Sequence, residues 1–150
     1  MRLLIQRVSE ACVHINGIQK AAIGKGLLIF VGFEEADRSE DLEWGARKIH
    51  LLRIFDDAEG VMNLSLSDIQ GEVLLISQFT LHAQTKKGNR PSYIKAAPPE
   101  KAIPLYEAFI SSLETTIGKK IETGTFRADM KVSLTNDGPV SIWMDTKNKE

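Results

Sequence analysis

The chain has 150 residues, 43% of them hydrophobic, which is enough for one sizeable core and too little to suggest two. Its 19 Lys and Arg nearly balance 20 Asp and Glu, so no global field draws in a polyanion, and any nucleic-acid contact must come from a local basic patch. The single cysteine, Cys12, excludes an intrachain disulfide and a multi-cysteine zinc site, no apolar run reaches membrane-spanning length, and residues 1–8 lack a signal-peptide profile, so a cytoplasmic protein with no membrane partner is expected.

Residues 3–8 and 11–15 are apolar and rich in Val and Ile. Asn16-Gly17 behind them readily takes the positive φ angles of a hairpin turn, so two strands and a hairpin are predicted. After Gly24-Lys25-Gly26, the unbroken apolar run over residues 27–33 has the pattern of a central strand covered on both faces. Asp37 followed by Glu40 resembles a capping box, and Leu42, Ala46, Ile49 and Arg53 recur at helical spacing, predicting a first helix over residues 39–50. Residues 51–55 then read as strand-like, before the turn chemistry of Asp56-Asp57-Ala58-Glu59-Gly60; residues 73–76 form another buried strand.

Residues 81–97 show no sustained apolar period and carry Lys86, Lys87, Gly88, Asn89, Arg90 and Pro91, which predicts a long exposed loop of a length that invites function. Pro98-Pro99-Glu100 signals a second helix whose Ile103, Tyr106, Ile110, Leu113 and Ile117 share a face until Gly118 ends it. Residues 121–123, 130–134 and 140–144 finish the chain as strands, the last two separated by residues 135–139. The sum is a single α+β domain over residues 1–150, with a mainly antiparallel, barrel-like sheet and two principal helices.

The catalytic signatures of common hydrolases are missing. Only His14, His50 and His82 could act as a general base; His14 alternates within a strand, His50 lies near a helix end, and His82 is the one left for a site. There is no His-Glu-x-x-His pattern, phosphate-binding glycine loop or Gly-x-Ser-x-Gly elbow, so neither a metal nor a cofactor is expected. Ser77-Gln78-Phe79-Thr80-Leu81 closes an apolar strand with three hydrogen-bonding side chains. Composition is compatible both with a polar strand terminus whose Phe79 sits in the core and with an oxyanion hole formed by the Phe79 and Thr80 amides, Ser77 or Thr80 orienting substrate. Asn136-Asp137-Gly138-Pro139-Val140 reads equally as an ordinary hairpin connection and as a rigid main-chain presentation, should the Gly-Pro bond be cis.

Taken together these segments resemble the D-aminoacyl-tRNA deacylase family across essentially the whole chain. The resemblance rests on Gln6-Arg7-Val8, Gly24-Lys25-Gly26-Leu27-Leu28, Lys48-Ile49, Leu52-Arg53-Ile54-Phe55, and Met62-Asn63 with Ser65. Its specific part is the ordered set Ser77-Gln78-Phe79-Thr80-Leu81, Lys87-Gly88-Asn89-Arg90-Pro91-Ser92 and Asn136-Asp137-Gly138-Pro139-Val140. The resemblance implies a homodimer that hydrolyses the ester of D-aminoacyl-tRNA, and of glycine mischarged onto tRNA-Ala. In it, a cis Gly138-Pro139 turn reaches into the partner subunit's site beside Ser77, Gln78, Phe79 and Thr80. The Gly138 and Pro139 carbonyls would meet the substrate's α-amino group and leave no room for an L side chain.

The same resemblance implies that positioning and the Phe79 and Thr80 amides carry catalysis, with help from the 2′-hydroxyl of the terminal adenosine, in place of the alternative in which the Thr80 hydroxyl is a nucleophile. It implies a substrate role for Asn136, a pocket for the terminal adenosine lined by Phe126 and Met130 of the Gly124–Met130 stretch, and an Arg7 guanidinium bracing the Gly138-Pro139 turn. Lys86, Lys87 and Arg90 are the candidates for RNA phosphates; no DNA partner is expected. The sequence departs from the family pattern at Ser141, where Thr is usual, and at Arg127, which replaces a commonly small residue and bears on the pocket. Two competing readings are a sister deacylase for L-aminoacyl-tRNA, against which Ser77-Gln78-Phe79 argues, and a non-catalytic dimeric RNA-binding module.

Overall fold

A computed structural model describes all of residues 1–150. In chain order the elements are β1 (Arg2–Ile15), β2 (Ile18–Ile23), β3 (Gly26–Gly32), α1 (Ser39–Leu51), β4 (Phe55–Asp56), β5 (Met62–Leu64), β6 (Glu72–Ser77), a 3-10 turn (Phe79–His82), α2 (Pro99–Ile117), β7 (Glu122–Thr123) and β8 (Met130–Asp145). The main sheet runs β2-β1-β3-β6-β7, with β8 added on β1; β4 and β5 form a separate two-stranded ribbon. Strand β1 pairs antiparallel with β2, β3 and β8, while β3–β6 and β6–β7 are parallel, so the sheet is mixed with an antiparallel majority.

Alternation along the central strands builds two cores. Leu3, Ile5, Leu27, Ile29, Val31, Val73 and Leu75 point to the helical side, where they meet Leu42, Ala46 and Ile49 of α1 and Tyr106, Phe109 and Leu113 of α2. Val8, Val13, Ile23, Leu28, Leu74 and Ile76 point the other way into a smaller core contributed wholly by strands, with Met130, Val132 and Leu134 of β8 packed against it. A core made by one sheet face without a covering helix requires that the sheet curl upon itself, and this is why the molecule is nearly closed and barrel-like. Each fully buried Leu, Ile or Phe contributes roughly 1.5–3 kcal/mol relative to exposure, so these two strips are the principal hold on the fold.

Several predicted boundaries move. The two N-terminal strand segments are one continuous strand, because β1 keeps its pairing with β8 past Ser9, and the Asn16-Gly17 turn leads into β2. The first helix caps one residue later than predicted: Asp41, and not Glu40, accepts the Arg38 N–H at 2.9 Å. Leu51 ends α1, leaving Phe55–Asp56 as the only strand before the acidic turn. The predicted exposed loop begins with the 3-10 turn and buries His82 and Ala97. Pro99 and Gly118 delimit α2 as expected, but its innermost residues are Ala102, Tyr106, Phe109 and Leu113, with Ile103, Ile110 and Ile117 flanking them. The largest correction is at residues 135–139, which do not separate two strands: β8 runs through them and pairs with β1 on both sides.

Candidate active site

The parallel pair β3–β6 ends in register, Val31 beside Ser77, and the chain then folds back sharply. Gln78 donates its N–H to the Val31 carbonyl at 2.7 Å, and Leu81 donates back to the Gln78 carbonyl at 3.2 Å, closing a tight turn over the strand end. The leading N–H groups of a helical turn have no acceptor within it, so the Phe79 and Thr80 amides are the turn's free donors. Close approach makes this seat possible: a Cβ built on Gly32 would lie 2.8 Å from the Gln78 carbonyl oxygen and 3.0 Å from the His82 ring. The Gln78 side-chain amide donates to the Thr80 hydroxyl. Phe79 is not in the core; it is 57% exposed and meets Tyr93 edge-to-face at 5.1 Å.

Beside the turn opens a cavity of about 640 Å³ lined by 17 residues, 12 of them hydrophobic. Ser77, Gln78, Phe79, Phe126 and Met130 all line it, so five of the predicted site residues share one space. Thr80 is on the turn but not among the lining residues. Tyr93, Gly32, Ala96 and Ala97 complete the walls; sequence reasoning missed Tyr93 because it lies in a polar stretch with no period. Phe126 is tied to the core by its ring contact with Tyr106 at 5.9 Å, and Tyr106 donates its hydroxyl to the Leu75 carbonyl at 2.9 Å. Arg127, identified from sequence as a departure, also lines the cavity.

The Gly138-Pro139 segment is elsewhere in the chain. Gln6 pairs with Ser141 and Val8 with Asn136, so Arg7 alone faces residues 137–140, which bulge out of β8. Asp137, Gly138 and Pro139 are exposed, none lines the cavity, and the Gly138–Pro139 peptide bond is cis. Asn136 staples the base of the bulge, its Oδ1 accepting from the Val140 N–H at 2.7 Å and its amide donating to the Val140 carbonyl at 3.2 Å and Ser141 Oγ at 3.1 Å. Buried Arg7 donates from Nε to the Asp137 carbonyl at 2.7 Å and from Nη1 to the Ile54 carbonyl at 2.8 Å and Asp56 Oδ1 at 3.0 Å. It therefore grips the bulge at Asp137, one residue before the predicted carbonyls, and ties it to β4. Gly138 sits at φ +141, where a Cβ would meet Arg7 Nη2 at 3.0 Å and Val140 N at 3.0 Å.

Lys86, Lys87 and Arg90 stand exposed on a small loop pinched shut by reciprocal bonds between Gln84 and Ser92 at 2.8 and 3.0 Å, next to Tyr93 of the cavity wall. His82 is buried beneath the 3-10 turn against Gly32, and burial pushes its pKa below the ordinary 6.5. No His, Cys, Asp or Glu cluster of three or more has metal-holding geometry. The arrangement can thus hold an apolar or aromatic group in a cavity that borders a turn with free backbone donors.

Known proteins match this chain over its whole length. The family model described as D-Tyr-tRNA(Tyr) deacylase matches residues 4–145. A D-aminoacyl-tRNA deacylase of Bacteroides thetaiotaomicron is 64% identical, and one of Flavobacterium johnsoniae 60% identical, each over 150 residues that cover all of both chains. A solved structure titled c-Myc DNA Unwinding Element Binding Protein superimposes with a TM-score of 0.92 at 39% identity, covering 97% of this chain and 98% of that one. A second, described as a probable eukaryotic D-amino acid tRNA deacylase, gives a TM-score of 0.81 at 16% identity over 95% and 97% of the two chains, a likeness of fold.

Proposed function

This chain belongs to the D-Tyr-tRNA(Tyr) deacylase family, and from that premise we propose how its surface carries out the reaction. The protein is an aminoacyl-tRNA ester hydrolase whose substrates are D-aminoacyl-tRNAs. The terminal adenosine and the esterified amino acid occupy the cavity beside the 77–80 turn. Water attacks the ester carbonyl, the oxyanion is held by the Phe79 and Thr80 amides, and the bond to the ribose oxygen breaks as that oxygen takes up a proton, the neighbouring 2′-hydroxyl assisting. Ser77 and Gln78 orient the substrate, Phe126 and Met130 pack against the nucleoside, and Lys86, Lys87 and Arg90 meet RNA phosphates. The observation that carries this reading is the seat of the 3-10 turn: Phe79, whose backbone N–H has no acceptor in the turn, lines a large apolar cavity that has no carboxylate or histidine on its walls.

Chiral selection is assigned to the Gly138-Pro139 bulge of a partner subunit in a homodimer, its carbonyls meeting the substrate ammonium and excluding L side chains. Three features support this. The bulge is exposed and held rigidly from behind by Arg7 and Asn136, yet it lies outside its own chain's cavity. Strand β8 pairs only with β1, so its other edge is open along the chain. Val140, Ile142 and Met144 alternate along the end of β8 and remain half exposed, a row that a second copy would cover. Glycine has no side chain to exclude, so glycyl-tRNA, including tRNA-Ala mischarged with glycine, is a substrate too.

The site of action is the cytoplasm, where aminoacyl-tRNA is used. Release of D-tyrosine, L-tyrosine and glycine from their tRNAs tests the reading: the first and third should be freed and the second spared. Preferential release of L-tyrosine would support the sister deacylase, and ester decay unaffected by protein would support the non-catalytic module.

A further inference from the structure

Arg127 is the only charged residue among the 17 that line the cavity. Its guanidinium is exposed and makes no hydrogen bond or ion pair within the protein; Asp129, the nearest carboxylate along the chain, is taken by Lys131 at 3.0 Å. Its backbone is held at φ 66 in a turn closed by the Ala128 N–H on the Thr125 carbonyl at 3.2 Å. A residue with a Cβ in that left-handed region is disfavoured relative to glycine, and nothing inside the fold uses this side chain to offset the cost. The turn itself is fixed, because Phe126 on one side packs on Tyr106 and Met130 on the other packs against the strand core. A rigid mount, a cation without a protein partner and a cavity with no acid on its walls favour an anionic ligand at Arg127.

The rest of the cavity says which anion. Exposed Phe79 and Tyr93 offer aromatic surfaces of the kind on which a nucleobase stacks. An amino acid held as an ester presents an ammonium and no α-carboxylate, so the anion that every such substrate brings to this cavity, whatever its side chain, is a phosphate of the nucleic acid. Resting on the deacylase reading of the cavity, we propose that Arg127 binds the last internucleotide phosphodiester of the tRNA 3′ end while the terminal nucleoside fills the apolar interior. A guanidinium suits this task because its planar fork donates two parallel hydrogen bonds to phosphate oxygens.

The test compares adenosine with the dinucleotide cytidylyl-adenosine, which adds one phosphodiester, as ligands for wild-type protein and for Arg127→Ala, Arg127→Gly and Arg127→Lys, followed by NMR titration. Arg127→Gly suits the left-handed backbone, so it separates loss of the cation from damage to the turn. Dinucleotide affinity should fall about tenfold in the Ala and Gly variants, and less in the Lys variant, while adenosine affinity stays the same. For D-tyrosyl-tRNA, KM should rise by a similar factor with kcat unchanged, and the salt dependence of tRNA binding should become shallower by about 0.7 in the log–log slope. Equal dinucleotide affinity in wild type and the Gly variant overturns the proposal, as does an equal loss of adenosine and dinucleotide. Absence of D-tyrosine release by wild-type protein would instead refute the deacylase reading, and a dinucleotide-selective loss in the Gly variant would still establish the phosphate site.

Discussion

At the scale of single residues, the Thr80 hydroxyl has the Gln78 amide as its hydrogen-bond partner, a donor that cannot remove a proton. A nucleophilic role therefore has no local support, and Thr80→Ala should keep kcat for D-tyrosyl-tRNA within about threefold of wild type; a drop of about a thousandfold would restore the hydroxyl to the chemistry. His82 makes a different prediction. Its pKa is lowered by burial, so the folded protein resists protonating it while the unfolded chain titrates at the ordinary value of 6.5. That stability is present above pH 6.5 and is lost as pH falls below it. The urea midpoint of wild type should fall relative to that of His82→Leu as pH is lowered from 7.5 to 5, and parallel pH profiles would show that His82 does not titrate in this range. Spacing alone does not reveal that the His82 ring is buried or that the Phe79 ring three positions away is exposed, since periodicity says nothing of three-dimensional contact.

At the scale of elements, two glycines hold two backbone features, the turn beside the cavity and the bulge of β8. Gly32 lets the 3-10 turn settle on the end of β3, and Gly32→Ala should push the Gln78 carbonyl off its seat at a cost of about 1–3 kcal/mol, lowering kcat while leaving D over L selectivity intact. Gly138 holds a backbone angle that other residues rarely adopt, and Gly138→Ala should displace Arg7 and distort the bulge, eroding that selectivity instead. Measuring release of both enantiomers by each variant separates the two; loss of selectivity in Gly32→Ala with none in Gly138→Ala would reverse the assignment. The elements that sequence made legible are those with an internal period or a marked end: the double-faced β3 and β6, and α2 between Pro99 and Gly118. The bulge was illegible because its turn chemistry is the same whether a chain reverses there or merely swells out of a strand, and only the pairing of β1 on both sides tells them apart. Likewise the mixed sheet could not be read from composition, for parallel and antiparallel strands buried on both faces look alike.

At the scale of the molecule, the strand ends hold the cavity and the exposed bulge of β8 lies outside it; on the proposed reading they are two halves of one site that a second copy brings together. The near-neutral net charge of −1 fits a protein that recognises its RNA through local features and not through a broad field. If the bulge completes a partner's cavity, the protein should sediment as a dimer, and activity should be shared between subunits. The decisive measurement mixes Gly32→Ala and Gly138→Ala protomers, unfolded and refolded together, and follows hydrolysis of D-tyrosyl-tRNA against L-tyrosyl-tRNA. Random pairing seats half of the intact cavities against intact bulges, so L-tyrosine release by the mixture should fall to about a quarter of that of Gly138→Ala at equal total protein, where protomers acting independently would give about half. L-tyrosine release by the mixture that equals the average of the two variants would contradict the account.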